Sequence, residues 1–258
     1  MRKNNLWFAD YDNKYHQELH GILRSEQVPF IHEMEQLYPK IIDEVAKLWD
    51  SKQDELYGKF DQFDQLQFPP QSWKKLVIKV WDVWSYQTRS IFPHLVSFID
   101  NHPNILSCYI TRTSPFSIIK QHYGETNATF RIHLGLKVPI ANKNECSIKV
   151  NHDTEDWETG KSFAFIDAEP HEVWNKTNQE RYVLIIDILR PEFMSNRKYI
   201  CARIISTQLF FSIFSRFLRK KTLQKIPNSF YTALTYILYW PIYFFTLLEN
   251  RFGVFKLL

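Results

Sequence analysis

The apolar positions change period along the chain, and those changes divide it. Residues 10–66 are charged, and Ile41, Ile42, Val45, Leu48 and Trp49 fall on one face at helical spacing, which predicts an amphipathic scaffold helix. Phe68-Pro69-Pro70-Gln71-Ser72 breaks that pattern, because the prolines remove backbone donors and Ser72 is suited to cap the next element. A boundary is therefore expected near residue 68. In Trp73–Trp84, Leu76, Ile78 and Val80 partly alternate with lysines before an apolar end, so helix and strand both stay open. Ile91, Leu95, Phe98 and Ile99 predict one amphipathic helix over residues 86–100, stopped by Asn101-His102-Pro103.

Beyond that point the apolar runs shorten. Leu106–Arg112, Ser117–His122, Thr129–Val138, Ser147–Asn151, Lys161–Ile166 and Tyr182–Leu189 are β-prone and separated by turn signals. Short strands at this spacing predict a mainly β fold with flanking helices, a β-sandwich or jelly roll rather than a parallel α/β sheet. The expected organisation is a helical N-terminal scaffold over residues 1–67, a β domain over 68–195, and a tail over 196–258.

Charge changes the picture only in its distribution. The net charge of +4 is too small to imply a nucleic-acid partner. The tail, however, carries Arg197, Lys198, Arg203, Arg216, Arg219, Lys220, Lys221, Lys225, Arg251 and Lys256 against Glu249 alone. Leu209, Phe210, Ile213, Phe214, Phe217 and Leu218 share a helical face beside those cations, a pattern suited to lipid headgroups. Asn228 to Leu248 then runs for 21 residues without a charge, just enough to span a bilayer, although Pro241 and the many Tyr and Thr residues weaken that reading. A spanning anchor, an interfacial helix pair and a soluble helical cap all remain open. Cys108, Cys146 and Cys201 are odd in number and widely spaced, which suggests a reducing compartment. With no signal-like apolar run at Met1, the expectation is a membrane-associated protein whose catalytic domain faces the cytoplasm.

Two imidazole motifs carry the candidate chemistry, Arg131-Ile132-His133-Leu134-Gly135-Leu136 and Pro170-His171-Glu172-Val173-Trp174-Asn175. An iron oxygenase usually follows its first histidine with an acid two residues on. Here Gly135 stands in that place. Joined with His122-Tyr-Gly-Glu-Thr-Asn127, Trp157-Glu-Thr-Gly160, Phe165-Ile-Asp167, Arg181 and Asp187-Ile-Leu-Arg-Pro191, the two motifs resemble the aspartyl/asparaginyl β-hydroxylase family over residues 105–193. The resemblance implies a double-stranded β-helix, Fe(II), 2-oxoglutarate and O2. It makes His133 and His171 the metal ligands without a protein carboxylate, with a glycine at the vacant acid position.

In the family an arginine holds the distal carboxylate of 2-oxoglutarate, and Arg181 matches it. A second family arginine is matched by Lys149, which keeps the charge but loses the fork. His122 and His152 are candidates for the same cavity, Asp167 for a supporting contact to a ligand, and Glu172 is expected to point outward. The implied reaction is hydroxylation of a substrate C–H bond with release of succinate and CO2. Because the family includes enzymes acting on lipid acyl chains, the basic, aromatic tail favours a membrane amphiphile as substrate. Alternatives are an Asp or Asn side chain of a peptide or protein, or a catalytically inactive membrane-attached binding module, which loss of His133, His171 or Arg181 would have signalled.

Overall fold

A computed structural model of the chain describes residues 6–9, 15, 20–49, 57, 66–214 and 227–252. Helix α1 (Phe30–Val45) runs into a 3-10 turn and is followed by strands β1 (Gln67–Phe68), β2 (Trp73–Val80) and β3 (Val83–Trp84). Helices α2 (Tyr86–Arg89) and α3 (Pro93–Asn101) lead into β4 (Ile105–Thr113), β5 (Ser117–His122), β6 (Thr129–Lys137), β7 (Cys146–Val150) and β8 (Asp153–Asp156). The chain continues through β9 (Ser162–Ile166), β10 (His171–Asn175), β11 (Arg181–Leu189), α4 (Arg197–Phe214) and α5 (Asn228–Phe252).

The strands form two antiparallel sheets, one in the order β1-β5-β10-β7-β8 and the other β3-β2-β4-β11-β6-β9. From β4 to β11 the chain winds between the sheets so that late strands return between early ones, which is the jelly-roll wind of a double-stranded β-helix. The sequence left Trp73–Trp84 open; it is β2, a two-residue turn and β3. The single helix expected over residues 86–100 is two helices, because Pro93 starts α3 where its missing N–H costs nothing and Phe92 is held at φ −121°, ψ 67°. Strands β8 and β10 were not anticipated, since their acids and amides hide a period of two.

Burial explains the layering. Strands β4 and β11 are buried at nearly every position, because their sheet is covered on one face by the second sheet and on the other by α1 and α3. Ile31, Met34 and Ile41 from α1 and Leu95 and Ile99 from α3 share one core with Ile110, Leu134 and Leu184 of that sheet. Glu44 of α1 also accepts the backbone N–H groups of His94 (3.1 Å) and Leu95 (2.8 Å), capping α3 from outside. A second core of Tyr109, Ile119, Ile148, Val150, Phe165, Val173 and Ile185 fills the space between the sheets.

Helix α4 packs onto one end of the sandwich, where Ile200, Cys201 and Ile204 meet Trp81, Leu106, Ala128 and Leu189. Helix α5 lies against α4 and contains Pro241. Among the described residues no helix is long and apolar enough to cross a membrane. Part of the amphipathic face read across residues 209–221, with its cations at 216 and 219–221, lies outside the described residues.

Candidate functional site

Strand parity builds the site. On β6, Arg131, His133 and Gly135 share the face turned to the opposite sheet, and on β11 so do Arg181, Val183, Ile185 and Asp187. The register sets Ile185 beside His133 and Asp187 beside Arg131. Across the gap, β10 contributes His171 and Val173, and an irregularity in its pairing with β5 places His171 opposite His122. All of these except Gly135 and Asp187, together with Trp73, Thr111, Ile119 and Trp157, line a cavity of roughly 390 Å³ including its open mouth.

His133 is the most informative member. Its ring is stacked on Trp157 (centroids 5.8 Å apart, planes 14° apart) and touches Phe163 and Phe165. Both of its ring nitrogens are buried without a hydrogen-bond partner. A neutral imidazole buried this way forfeits about 1–3 kcal/mol for each unsatisfied polar group, so the arrangement calls for a ligand. The ring of His171 also packs against Phe165, with centroids 5.1 Å apart. Its Nδ1 lies 2.8 Å from the Glu169 carbonyl oxygen, so that nitrogen donates and the tautomer leaves the Nε2 lone pair available. Burial pushes both histidines well below the ordinary imidazole range; Arg131 and Arg181 add to this at His133, and His122 at His171. Two neutral imidazoles with lone pairs at one cavity suit a divalent iron ion. Among the described residues, no group of three or more His, Cys, Asp or Glu is placed to hold a metal ion.

Arg181 is buried, with its guanidinium 3.8 Å above the Trp157 ring. Nη2 donates to Thr113 Oγ1 at 2.6 Å, while Nε and Nη1 have no hydrogen-bond partner. Burial lowers its pKa, and the adjacent Cys146 sulfur opposes that shift. A fixed fork with two free N–H faces is suited to a carboxylate.

A third cluster went unread in the sequence. Arg131 grips Asp187 through Nε (2.7 Å) and Nη2 (3.0 Å) and donates Nη1 to Asp167, joining β6, β11 and the β9–β10 loop. Asp167 Oδ1 is 3.7 Å from His171 Nε2, beyond hydrogen-bonding range, so the Glu169 carbonyl rather than Asp167 orients that ring. Burial raises the Asp167 carboxyl to about 7, with Arg131 opposing and Asp187 and Glu125 reinforcing the rise. Gly135 has a steric reason of its own: a β-carbon there would lie 2.2 Å from the Glu158 carbonyl oxygen.

Residues 35–191, well over half of the chain, match the family described as aspartyl/asparaginyl beta-hydroxylase. The chain belongs to that family. Among its relatives is the ornithine lipid ester-linked acyl 2-hydroxylase of Rhizobium tropici, 30% identical over 63% of this chain and 58% of that protein. Another is the human aspartyl/asparaginyl beta-hydroxylase, 36% identical over 33% of this chain and 11% of that protein. The chain thus spans less than two thirds of the length of either. A Pseudomonas putida prolyl-4-hydroxylase structure aligns with 58% of this chain and 86% of that one at 12% identity and a TM-score of 0.43.

As a member of this family the chain brings His133, His171, Arg181 and His122 to one cavity, and leaves two expected residues outside it. Lys149 lies on the outer face of β7, paired with Glu172 across the strands at 3.9 Å, because Ile148 and Val150 on either side point inward. His152 is exposed in the β7–β8 turn. His122 does line the cavity, its ring centroid 4.2 Å from that of His171, and burial pushes its pKa down to about 4. Trp157, Arg131 and Asp187 stand inside the sequence motifs without an assigned role, and Thr113 lies outside them. Even spacing from His133 and Arg181 marks Arg131 and Asp187 as inward-facing charges of opposite sign.

Proposed function

We propose that this chain is an Fe(II)- and 2-oxoglutarate-dependent dioxygenase that hydroxylates a C–H bond of a membrane amphiphile, such as a lipid acyl chain. The observation that carries the reading is one cavity holding a buried imidazole with both nitrogens unsatisfied and a buried guanidinium with two unsatisfied nitrogens. His133 and His171 would hold the metal, and Arg181, steadied by Thr113 and Trp157, would take the distal carboxylate of the 2-oxo acid. Bound Fe(II), with 2-oxoglutarate and O2, supplies oxidation of a C–H bond with succinate and CO2 as co-products.

The protein's own part is to bind, orient and exclude water. Trp157 and Phe165 brace the His133 ring, and the Glu169 carbonyl fixes the His171 tautomer. Arg131 holds Asp167 and Asp187 as a paired cluster, which keeps the acids from standing as uncompensated charges beside the imidazoles. Ile119, Val173, Val183 and Ile185 give the cavity an apolar wall suited to a hydrocarbon chain. The Lys75 ammonium, 4.1 Å over the Trp73 ring beside the cavity, favours an anionic group on the substrate, which a lipid headgroup provides. A carboxylate-bearing Asp side chain in a peptide meets the same requirement and is the second reading.

The test is iron-dependent conversion of 2-oxoglutarate to succinate by the full chain, followed by mass spectrometry of membrane lipids for a gain of one oxygen. His133→Ala and His171→Ala should each abolish turnover. Iron-dependent turnover retained in both variants would overturn the assignment; unchanged lipids beside hydroxylated Asp or Asn would reverse the substrate preference.

A further inference from the structure

Helix α5 carries a feature that a catalytic jelly roll does not need. Phe230, Ala233, Ile237, Trp240 and Phe244 recur at steps of three and four, and all five are exposed, with Ile237 at 71% and Trp240 at 70%. Tyr236 and Phe252 extend the same side, also exposed. The opposite side is in use. Ile242 and Glu249 are buried there, Tyr243 packs against Lys198, and Tyr236 and Phe230 make ring contacts at their edges with Tyr199 and Phe210 of α4. An outward apolar row about half a turn wide and four turns long is far larger than the scattered apolar residues of an ordinary surface.

We propose that this row of α5 is a docking face for an anionic lipid bilayer, with the helix lying along the surface rather than crossing it. Composition favours that occupant. The exposed row is rich in Phe, Trp and Tyr, the rings that suit the boundary between headgroups and acyl chains. No charged residue occurs from Asn228 to Leu248, the next acid, Glu249, is turned inward, and Arg251 is exposed. The twelve residues 215–226 just before α5 carry Arg216, Arg219, Lys220, Lys221 and Lys225 and no acid. Each such cation near a negatively charged leaflet contributes about 1 kcal/mol, so five in the sequence directly preceding α5 favour an anionic surface.

A second copy of the chain fits less well. Parallel pairing of two α5 rows would bring the two basic segments together, and antiparallel pairing would set each against the Arg251 end of its partner. Orientation along the surface comes from the helix being too weakly apolar to span. Helix α4 is also tied to the loop after His122, where Gln208 donates to Glu125 at 3.0 Å. The inference deepens the lipid-substrate reading and rests on it only for what the surface delivers; docking itself needs neither iron nor 2-oxoglutarate.

The experiment is sedimentation of the full chain with vesicles of phosphatidylcholine alone and of phosphatidylcholine mixed with phosphatidylglycerol. The parent should bind the anionic vesicles, and the double variant Ile237→Glu, Trp240→Glu should lose at least about tenfold in partitioning, with its circular dichroism and melting unchanged. Thr154→Glu, on the exposed edge strand β8, should bind like the parent. Bromines placed at the headgroup end of the acyl chains should quench the part of the emission that Trp240→Phe removes more than bromines at the bilayer centre. Equal partitioning of parent and double variant would overturn the proposal, as would strongest quenching at the bilayer centre. So would a solution dimer that the double variant dissociates without any vesicle binding. Vesicle binding without 2-oxoglutarate turnover leaves docking standing and removes the enzymatic reading; turnover without binding does the reverse.

Discussion

At Gly135 the residue scale is decided by a backbone, since the Glu158 carbonyl occupies the space a side chain would need. Gly135→Ala must displace main chain on β6 or on the loop bearing Glu158, at an expected cost of about 2–4 kcal/mol in chemical unfolding. An aspartate there, which would restore the usual third iron ligand, meets the same obstacle, and Gly135→Asp should be destabilised at least as much. Lys75 poses an electrostatic question instead. Burial and Arg131 push its ammonium down to about 8, against the pull of Glu125, Asp167 and Asp187. A lysine whose folded pKa lies below its unfolded value of about 10.5 weakens the fold fully below the lower value, and the penalty fades as pH rises between the two. Lys75→Met is therefore expected to raise stability at pH 7 by ~1–2 kcal/mol, discounted because the side chain keeps some water contact, and the gain should vanish near pH 10.5. Melting curves across that range check it. The convergence of His133, His171 and Arg181 on one cavity was legible in the sequence because each sits in a motif whose residue types carry chemistry. Lys149 was misplaced because its parity was not weighed: with Ile148 and Val150 facing the core, a residue between them faces out.

Elements were legible where period was clear. The strands β4, β6 and β11 could be read from apolar runs, whereas β8, with three acids in four residues, and β10, with alternating polar inward residues, gave no such signal. The β2–β3 turn explains another gap. Trp81 and Asp82 both adopt positive φ, 45° and 73°, in a turn that usually takes Asn-Gly, so Trp81 read as an apolar element instead of a turn. Tertiary contacts hold it there: Ser107 Oγ accepts the Trp81 N–H at 3.1 Å and the Leu106 carbonyl accepts the Asp82 N–H at 2.8 Å. The same turn anchors α4, because Arg197 donates to both Asp82 oxygens at 2.9 and 2.8 Å. Burial tends to raise the Asp82 carboxyl, yet Arg197 and Lys79 outweigh it and hold it below its ordinary value. A depressed acid stabilises above its unfolded pKa and loses that contribution as pH falls through the folded one. Arg197→Ala should cost about 1 kcal/mol at pH 7, since the pair is partly exposed, and the difference from the parent should shrink below about pH 4.

At the scale of the whole molecule, three apolar cores among the described residues carry the fold, so the apoprotein should stay folded after treatment with a chelator. Mn(II), which resists the oxidation that complicates Fe(II), together with 2-oxoglutarate should raise the melting temperature by ligand linkage. A hundredfold excess over Kd corresponds to about 2.7 kcal/mol, or roughly 5–10 °C for a chain of this size. His171→Ala should abolish the rise while leaving the metal-free melting temperature close to that of the parent, and calorimetry distinguishes the two effects. The double-stranded β-helix was foreseeable from short strands and motif order, and helices flanking its sheets were expected; the contacts that seat them, such as Glu44 to the start of α3, were not, because no local pattern announces them. The proposed docking of the outward row on α5 has a kinetic consequence as well. A catalyst held at a surface meets a surface-bound substrate in two dimensions, so its rate depends on how densely that substrate is packed there and not on how much is present in the tube. In mixed micelles, adding inert detergent at constant total substrate should slow turnover by dilution within the surface, and the Ile237→Glu, Trp240→Glu chain should lose that dependence.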